Sequence, residues 1–184
     1  MNQPAEDRYN ELISKAADLL SQQDFEQALI YCDKAINVDP ERFEGRRLRI
    51  DALLNLGRHQ EALEEAEKAY EIYRVSPEKY PLGAHLRFSD ALLRLGKGQW
   101  ALEAAENALS ISTDDETAWI LKGAALNMVG HLHESLEIFR QATDNFPRCE
   151  RCWYHRGLIS CSLGIFDEAL ESFSKSLLKN SPLS

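Results

Sequence analysis

The chain has 184 residues, 44% hydrophobic and 28% charged, a balance that buries a core and excludes an intrinsically disordered protein. Its 21 Lys and Arg face 30 Asp and Glu, a net charge of −9 spread along both halves. That leaves no clustered cations for a nucleic-acid or anionic-membrane surface. No run approaches the roughly 18 apolar residues of a membrane span, and the start MNQPAEDRYN lacks the basic and apolar regions of a signal peptide, so a cytoplasmic location is expected.

From Ala5 to Ser21 the spacing of Leu12, Ala16 and Leu19 predicts a helix. Gln22-Gln23-Asp24 interrupts it, and a second helix carrying Ala28, Leu29, Cys32 and Ala35 runs to Pro40. The next stretch places Leu53 before Gly57, then Ala62, Leu63, Ala66 and Ala69, and ends in Ser76-Pro77-Glu78-Lys79-Tyr80-Pro81, a breaker-rich link. A third has Phe88, Ser89 and Leu92 before Gly96, then Ala101, Leu102, Ala105 and Ala108, closing at Thr113-Asp114-Asp115. The fourth sets Trp119, Gly123 and Leu126 on one face, breaks at Gly130, sets Leu136, Phe139 and Ala142 on another, and stops at Pro147. The fifth reads Trp153, Gly157, Ser160, Gly164, Ala169, Leu170, Phe173 and Ser176, with Pro182 near the end.

The leucines at 29, 63, 102, 136 and 170 recur at intervals of 34, 39, 34 and 34 residues. The turn residues Gln23, Gly57, Gly96, Gly130 and Gly164 repeat the same intervals independently, which is the signature of a repeat architecture. A 34-residue helix–turn–helix with slots filled by Trp119, Gly123, Leu126, Ser135, Phe139, Ala142 and Pro147 resembles the tetratricopeptide repeat (TPR). In the fifth unit those slots hold Trp153, Gly157, Ser160, Ala169, Phe173, Ser176 and, displaced by one, Pro182. The resemblance implies an all-α fold, a right-handed α-solenoid (superhelix) of about five units, approximately 9–42, 43–76, 82–115, 116–149 and 150–182, in a single domain spanning 1–184. An insertion of five residues at about 77–81 accounts for the interval of 39. Ile50 stands where Gly or Ala is expected, Arg46 and His85 replace the large apolar residue, and Thr113 replaces a Pro. Looser packing is therefore expected around units two and three.

What the resemblance implies about function is a protein–protein interaction scaffold with no catalytic residues, no cofactor and no metal. A peptide or helix of a partner would lie on the concave face lined by the first helix of each unit. The inward slots nominate Arg47, Asp51, Leu54, Leu86, Asp90, Leu93, Ile120, Asn127, Arg151, Tyr154 and Leu158. The apolar members are anchors, and Arg47, Asp51, Asp90 and Arg151 set register by charge. The competing reading is that much of this apolar surface is half-buried between neighbouring first helices. The slots that hold chaperone C-terminal carboxylates in the family carry Ile13 with Ala17, Leu48, and Gly83 with Arg87 here, so that mode is not expected.

Four cysteines, Cys32, Cys149, Cys152 and Cys161, are too few for a disulfide framework and are expected to stay thiols. Cys149 and Cys152 nevertheless form a C-x-x-C at a helix start with His155 one turn on, so the alternative function is redox or metal binding at that cluster. A fourth metal ligand is missing: Cys161 lies about 13 Å further along the helix at 1.5 Å per residue. Gly98 lacks the side chain that Phe25, Leu132 and Phe166 supply at its position, and Trp100 is expected to fold back into the gap. At the far end the stripe Leu170, Phe173, Leu177 and Leu178 has no helix after it, so self-association or a partner is expected to cover it.

Overall fold

In a computed structural model, residues 3–177 are described and form ten α-helices. They are α1 Gln3–Ser21, α2 Phe25–Val38, α3 Phe43–Asn55, α4 His59–Tyr73, α5 Leu82–Arg94, α6 Gly98–Ile111, α7 Glu116–Met128, α8 Leu132–Asn145, α9 Glu150–Ser162 and α10 Phe166–Leu177. A single 3-10 turn, Pro77–Lys79, lies in the segment that breaks the 34-residue period. The described residues contain no strand, and no helix among them is long and apolar enough to cross a membrane. The fold is an all-α repeat, which divides into two compact units, Met1–Tyr80 and Pro81–Ser184.

The repeat period shows in the backbone. Gly57, Gly96, Gly130 and Gly164 each have φ between 72° and 86°, a left-handed conformation that costs glycine nothing. Gln23 adopts φ 62° at the corresponding place, so the turn persists where the sequence lacks its glycine. The starts of α2 and α7 are closed by aspartates: Asp24 Oδ1 accepts the Gln27 N–H at 3.3 Å and Asp115 Oδ1 the Thr117 N–H at 2.8 Å, satisfying amide donors that no helical carbonyl can reach.

In the first unit α1 packs on α2, α2 on α3, and α3 on α4. In the second the same order runs from α5 through α10. The first helices also touch one another, α1 with α3 in one unit and α5 with α7 and α7 with α9 in the other, more closely than the second helices do. One face of each unit is therefore lined by first helices. Within a pair the close approach is made at the small slots: a Cβ on Gly123 would lie 2.5 Å from Phe139 Cζ, and one on Gly157 2.7 Å from Phe173 Cε1. Two buried serines stitch pairs together, Ser89 donating to the Ala101 carbonyl at 2.9 Å and Ser135 to that of Gly123 at 2.8 Å.

The departures in unit two do not loosen it. Trp119 and Trp153 each donate Nε1–H to the carbonyl six residues earlier, Thr113 at 2.8 Å and Pro147 at 2.9 Å. Arg46 occupies the same slot and donates from Nη2 to Pro40 at 3.1 Å, also six residues back, so guanidinium substitutes for indole. Its Nη1 meets the buried Glu65 at 2.6 Å, and Arg49 reaches the same carboxylate at 3.3 Å. Ile50 is fully buried, as are Phe43 and Tyr73, whose rings pack with Tyr80 at centroid distances of 4.8 to 5.7 Å. The expectation for Trp100 is corrected: Met128 and Val129 fill the space over Gly98, coming within 3.0 and 2.9 Å of where a Cβ would stand. Trp100 instead lies half-buried under the Lys97 ammonium, 4.8 Å from its ring centroid.

Candidate partner-binding surface

The nominated residues fall on the first helices, and the two units hold separate sets. In the first unit Arg47 Nη1 donates to Asp51 Oδ2 at 3.0 Å along one face of α3, both side chains being largely covered. Each charge neutralises the other, so their part in reading a partner's charge is reduced to dipole and hydrogen-bond contacts. Leu54, one turn beyond Asp51, is buried and serves the core rather than an open anchor.

In the second unit α5 contributes Leu86 and Leu93, both half-buried, with Asp90 exposed between them. On α7 Ile120 is buried, in one cluster with Leu136, Phe139 and Ile159, while Asn127 is exposed. Burial of Leu54 and Ile120 is the half-buried reading of the inner slots taken to completion. On α9 Arg151 is exposed, and Tyr154 and Leu158 keep 50% and 38% of their surface in water one turn apart. Tyr154 is held on its inner side by Phe173, 6.0 Å between ring centroids, and by His155, 5.7 Å away edge-on. The pair is fixed by the core on one side and leaves apolar area open to solvent on the other.

The C-x-x-C departs from expectation in one respect. Cys149 and Cys152, Cα atoms 5.3 Å apart, are joined in a disulfide instead of standing as thiols; adjacency across one helical turn brings the sulfurs together at the start of α9. Cys149 is the N-cap, its sulfur accepting the Cys152 N–H at 3.1 Å. Both are buried, beside Ile120, Leu136 and Phe139. His155 does not converge on them: it stacks on Phe139 at 5.4 Å with rings 11° from parallel. Burial, reinforced by the Arg151 charge, pushes its pKa below the ordinary histidine value, so it sits as a neutral ring at pH 7. Among the described residues no group of three His, Cys, Asp or Glu side chains is placed to hold a metal. Cys161 is exposed and free, and Cys32 is buried, its thiol pushed up to about 12 chiefly by that burial.

What the sequence reading missed is that Phe166 joins the exposed stripe it named on α10. Phe166 fills no gap: it is exposed, as are Leu170 and Leu177, whereas Leu178 and Pro182 lie outside the described residues. The signal was present in the predicted stripe, but the side chains on its outer edge could be told from the inner ones only in three dimensions.

A family model for the tetratricopeptide repeat matches residues 14–77 and 129–184. No curated protein matches the chain. Among solved structures, MamA residues 41 to the end from Desulfovibrio magneticus RS-1 is similar at 23% identity, covering 97% of this chain and 98% of its own, with a TM-score of 0.74. YrrB, described as a TPR protein with an unusual peptide-binding site, is similar at 23% identity over 90% of this chain and 83% of its own, with a TM-score of 0.71. At such identities the likeness is one of fold. The matched repeats, the five turns in register and the glycine–phenylalanine closures within pairs lead to one conclusion, that the chain belongs to the tetratricopeptide repeat family.

Proposed function

We propose that this protein is a non-enzymatic scaffold that holds a peptide or helix of a partner on the face lined by its first helices. The observation that carries the proposal is the exposed pair Tyr154 and Leu158 on α9. A large aromatic and a leucine one turn apart, backed by Phe173 and His155, present apolar area at little cost in side-chain entropy. Half-buried Leu86 and Leu93 extend the apolar surface on α5. Asp90, Asn127 and Arg151, all exposed, supply polar contacts that fix register without adding much affinity. The description of YrrB as having a peptide-binding site lends the reading support by analogy of fold alone. The acidic surface does not suit a polyanion.

The experiment is selection from a peptide display library on the wild-type protein, followed by affinity measurement with Tyr154→Ala/Leu158→Ala. We expect the double variant to melt somewhat lower, because it loses contacts to Phe173 and His155, to stay folded at the temperature of measurement, and to lose at least about tenfold in affinity, the cost of about 1.4 kcal/mol of apolar contact. Selected peptides that bind the double variant as tightly as wild type would overturn the assignment.

A second reading rests on the Cys149–Cys152 disulfide. The pair is a two-electron couple: a small-molecule dithiol gives up two electrons and two protons, becomes a disulfide, and leaves two protein thiols. Thiols counted in denaturant after equilibration with dithiol buffers of graded potential should number two on the oxidising side, Cys32 and Cys161, and four on the reducing side. Four thiols throughout would eliminate it.

A further inference from the structure

The Cys149–Cys152 disulfide closes the turn that opens α9, and side chains packed in series lead from that turn to the exposed Tyr154. Cys152 has no surface in water and Cys149 only 6%. Both belong to one buried cluster with Ile120, Leu136 and Phe139. Phe139 stacks on His155, 5.4 Å between ring centroids, and His155 meets Tyr154 edge-on at 5.7 Å. The crosslinked turn and the proposed partner surface therefore share one run of contacts.

The repeat does not need this crosslink to start a first helix. The positions of Cys149 and Cys152 are held by Arg42 and Gly45 at α3, by Pro81 and Ala84 at α5, and by Asp115 and Ala118 at α7. In each the first residue is the N-cap and the second is buried, as in α9. Three starts are built without a covalent bond, so the bond in the fourth is free to serve something other than folding.

Reduction changes the packing at that turn. A small-molecule dithiol attacks one sulfur, passes through a mixed disulfide and leaves as a cyclic disulfide; two electrons and two protons go to the protein, and two thiols replace one S–S bond. Two unbonded sulfurs need more room than a bonded pair, and a close-packed interior has none to give. Cys152 is enclosed, so Cys149, on the rim, is the sulfur that moves. The link moves with it: the Cys149 carbonyl accepts the Trp153 backbone N–H at 3.2 Å, and the Trp153 indole donates to the Pro147 carbonyl at 2.9 Å. A released Cys149 stands at a helix start with Arg148 and Arg151 near it in the chain, both exposed. That setting favours a thiolate and makes the reduced form attainable in the folded protein.

We propose that the Cys149–Cys152 couple is a redox switch for the partner surface. Oxidised, it fixes the start of α9 and presets Tyr154 for a peptide; reduced, it frees that start and lowers the affinity. The switch rests on both readings given above, the peptide surface and the two-electron couple.

NMR spectra of the full-length protein without ligand, in dithiol buffers on either side of the transition, come first. The Trp153 indole N–H and the Tyr154 ring signals should shift in step with the thiol count, while the Trp100 indole on α6 keeps its place. Signals of Trp153 and Tyr154 that ignore reduction overturn the switch, as does a thiol count of two at every potential. A cysteine-free peptide selected on the oxidised protein supplies the second arm. It should bind the reduced protein at least about fivefold more weakly, the low end of ordinary coupling between sites. By reciprocity, saturating peptide should lower the midpoint of reduction by the same factor, about 20 mV for a two-electron couple. Equal affinity for the two forms overturns the switch and leaves the peptide surface standing. A peptide indifferent to Tyr154→Ala/Leu158→Ala overturns the surface, and the control of it with it. Cys152→Ala, which places the residue of α5 and α7 in that slot, should bind equally in every buffer, and Cys161→Ser should keep the wild-type response. The reverse pattern would assign the effect to the exposed Cys161 thiol and overturn the proposal.

Discussion

Glu168 joins three helices through one carboxylate. Arg140 on α8 reaches it from Nε at 3.0 Å and Nη2 at 2.7 Å, and Arg156 on α9 from Nε at 2.8 Å. The Arg140 hydrogen bonds, against the opposing cost of burial and with help from Arg156, hold the carboxyl at about 2, below its ordinary 4.5. A folded-state pKa below the unfolded value means that the stabilisation is complete above about pH 4.5 and drains away as pH falls towards 2. Glu168→Gln should therefore cost about 2 kcal/mol at pH 7, the scale of hydrogen bonds to a charged partner. The gap to wild type in denaturant titrations should narrow between pH 4.5 and pH 2. A gap that stays constant down to pH 2 would show that charge is not what the carboxylate contributes.

Between elements, the controlling contact is glycine against phenylalanine. Gly123 on α7 and Phe139 on α8 close one pair, Gly157 on α9 and Phe173 on α10 the next. Both were legible as small and aromatic slots at a fixed spacing. A methyl at Gly123 meets Phe139 Cζ at 2.5 Å, Cε2 at 2.6 Å and Cε1 at 3.0 Å, and the fully buried ring has no free side to move to. Gly123→Ala should destabilise by about 2 kcal/mol, overpacking outweighing the gain in helix propensity. Adding Phe139→Leu should recover part of the loss, and additive losses in the double-mutant cycle would refute the contact as the cause. Other contacts were not legible: Arg46 keeping the carbonyl bond of a tryptophan depends on where a long side chain ends, and Met128 and Val129 displacing Trp100 from Gly98 depends on which neighbour arrives there. Sequence spacing fixes helix faces, whereas rotamers choose among neighbours.

At the scale of the molecule, a repeat has one structural unit and two ends. Inside each unit consecutive helices pack on one another, so the apolar stripes between them have partners and stability is local. What the packing does not consume includes Tyr154 and Leu158 on α9, the residues proposed to meet a partner, and Phe166, Leu170 and Leu177 on α10. The nominated residues divide accordingly. Leu54 and Ile120 have gone into the core, Arg47 and Asp51 into each other, and Asp90, Asn127, Arg151, Tyr154 and Leu158 remain exposed.

The sequence by itself determined the repeat, because periodic glycines and small residues are demands of backbone conformation and close approach, which are local or fixed in spacing. It also determined the acidity that disfavours polyanions. Only the tertiary structure decided which inward residues stay in water, that Cys149 and Cys152 pair while His155 turns to Phe139, and that Phe166 joins Leu170 and Leu177 on an open face. Burial depends on the element that packs opposite, and no side chain carries that information in its own position along the chain.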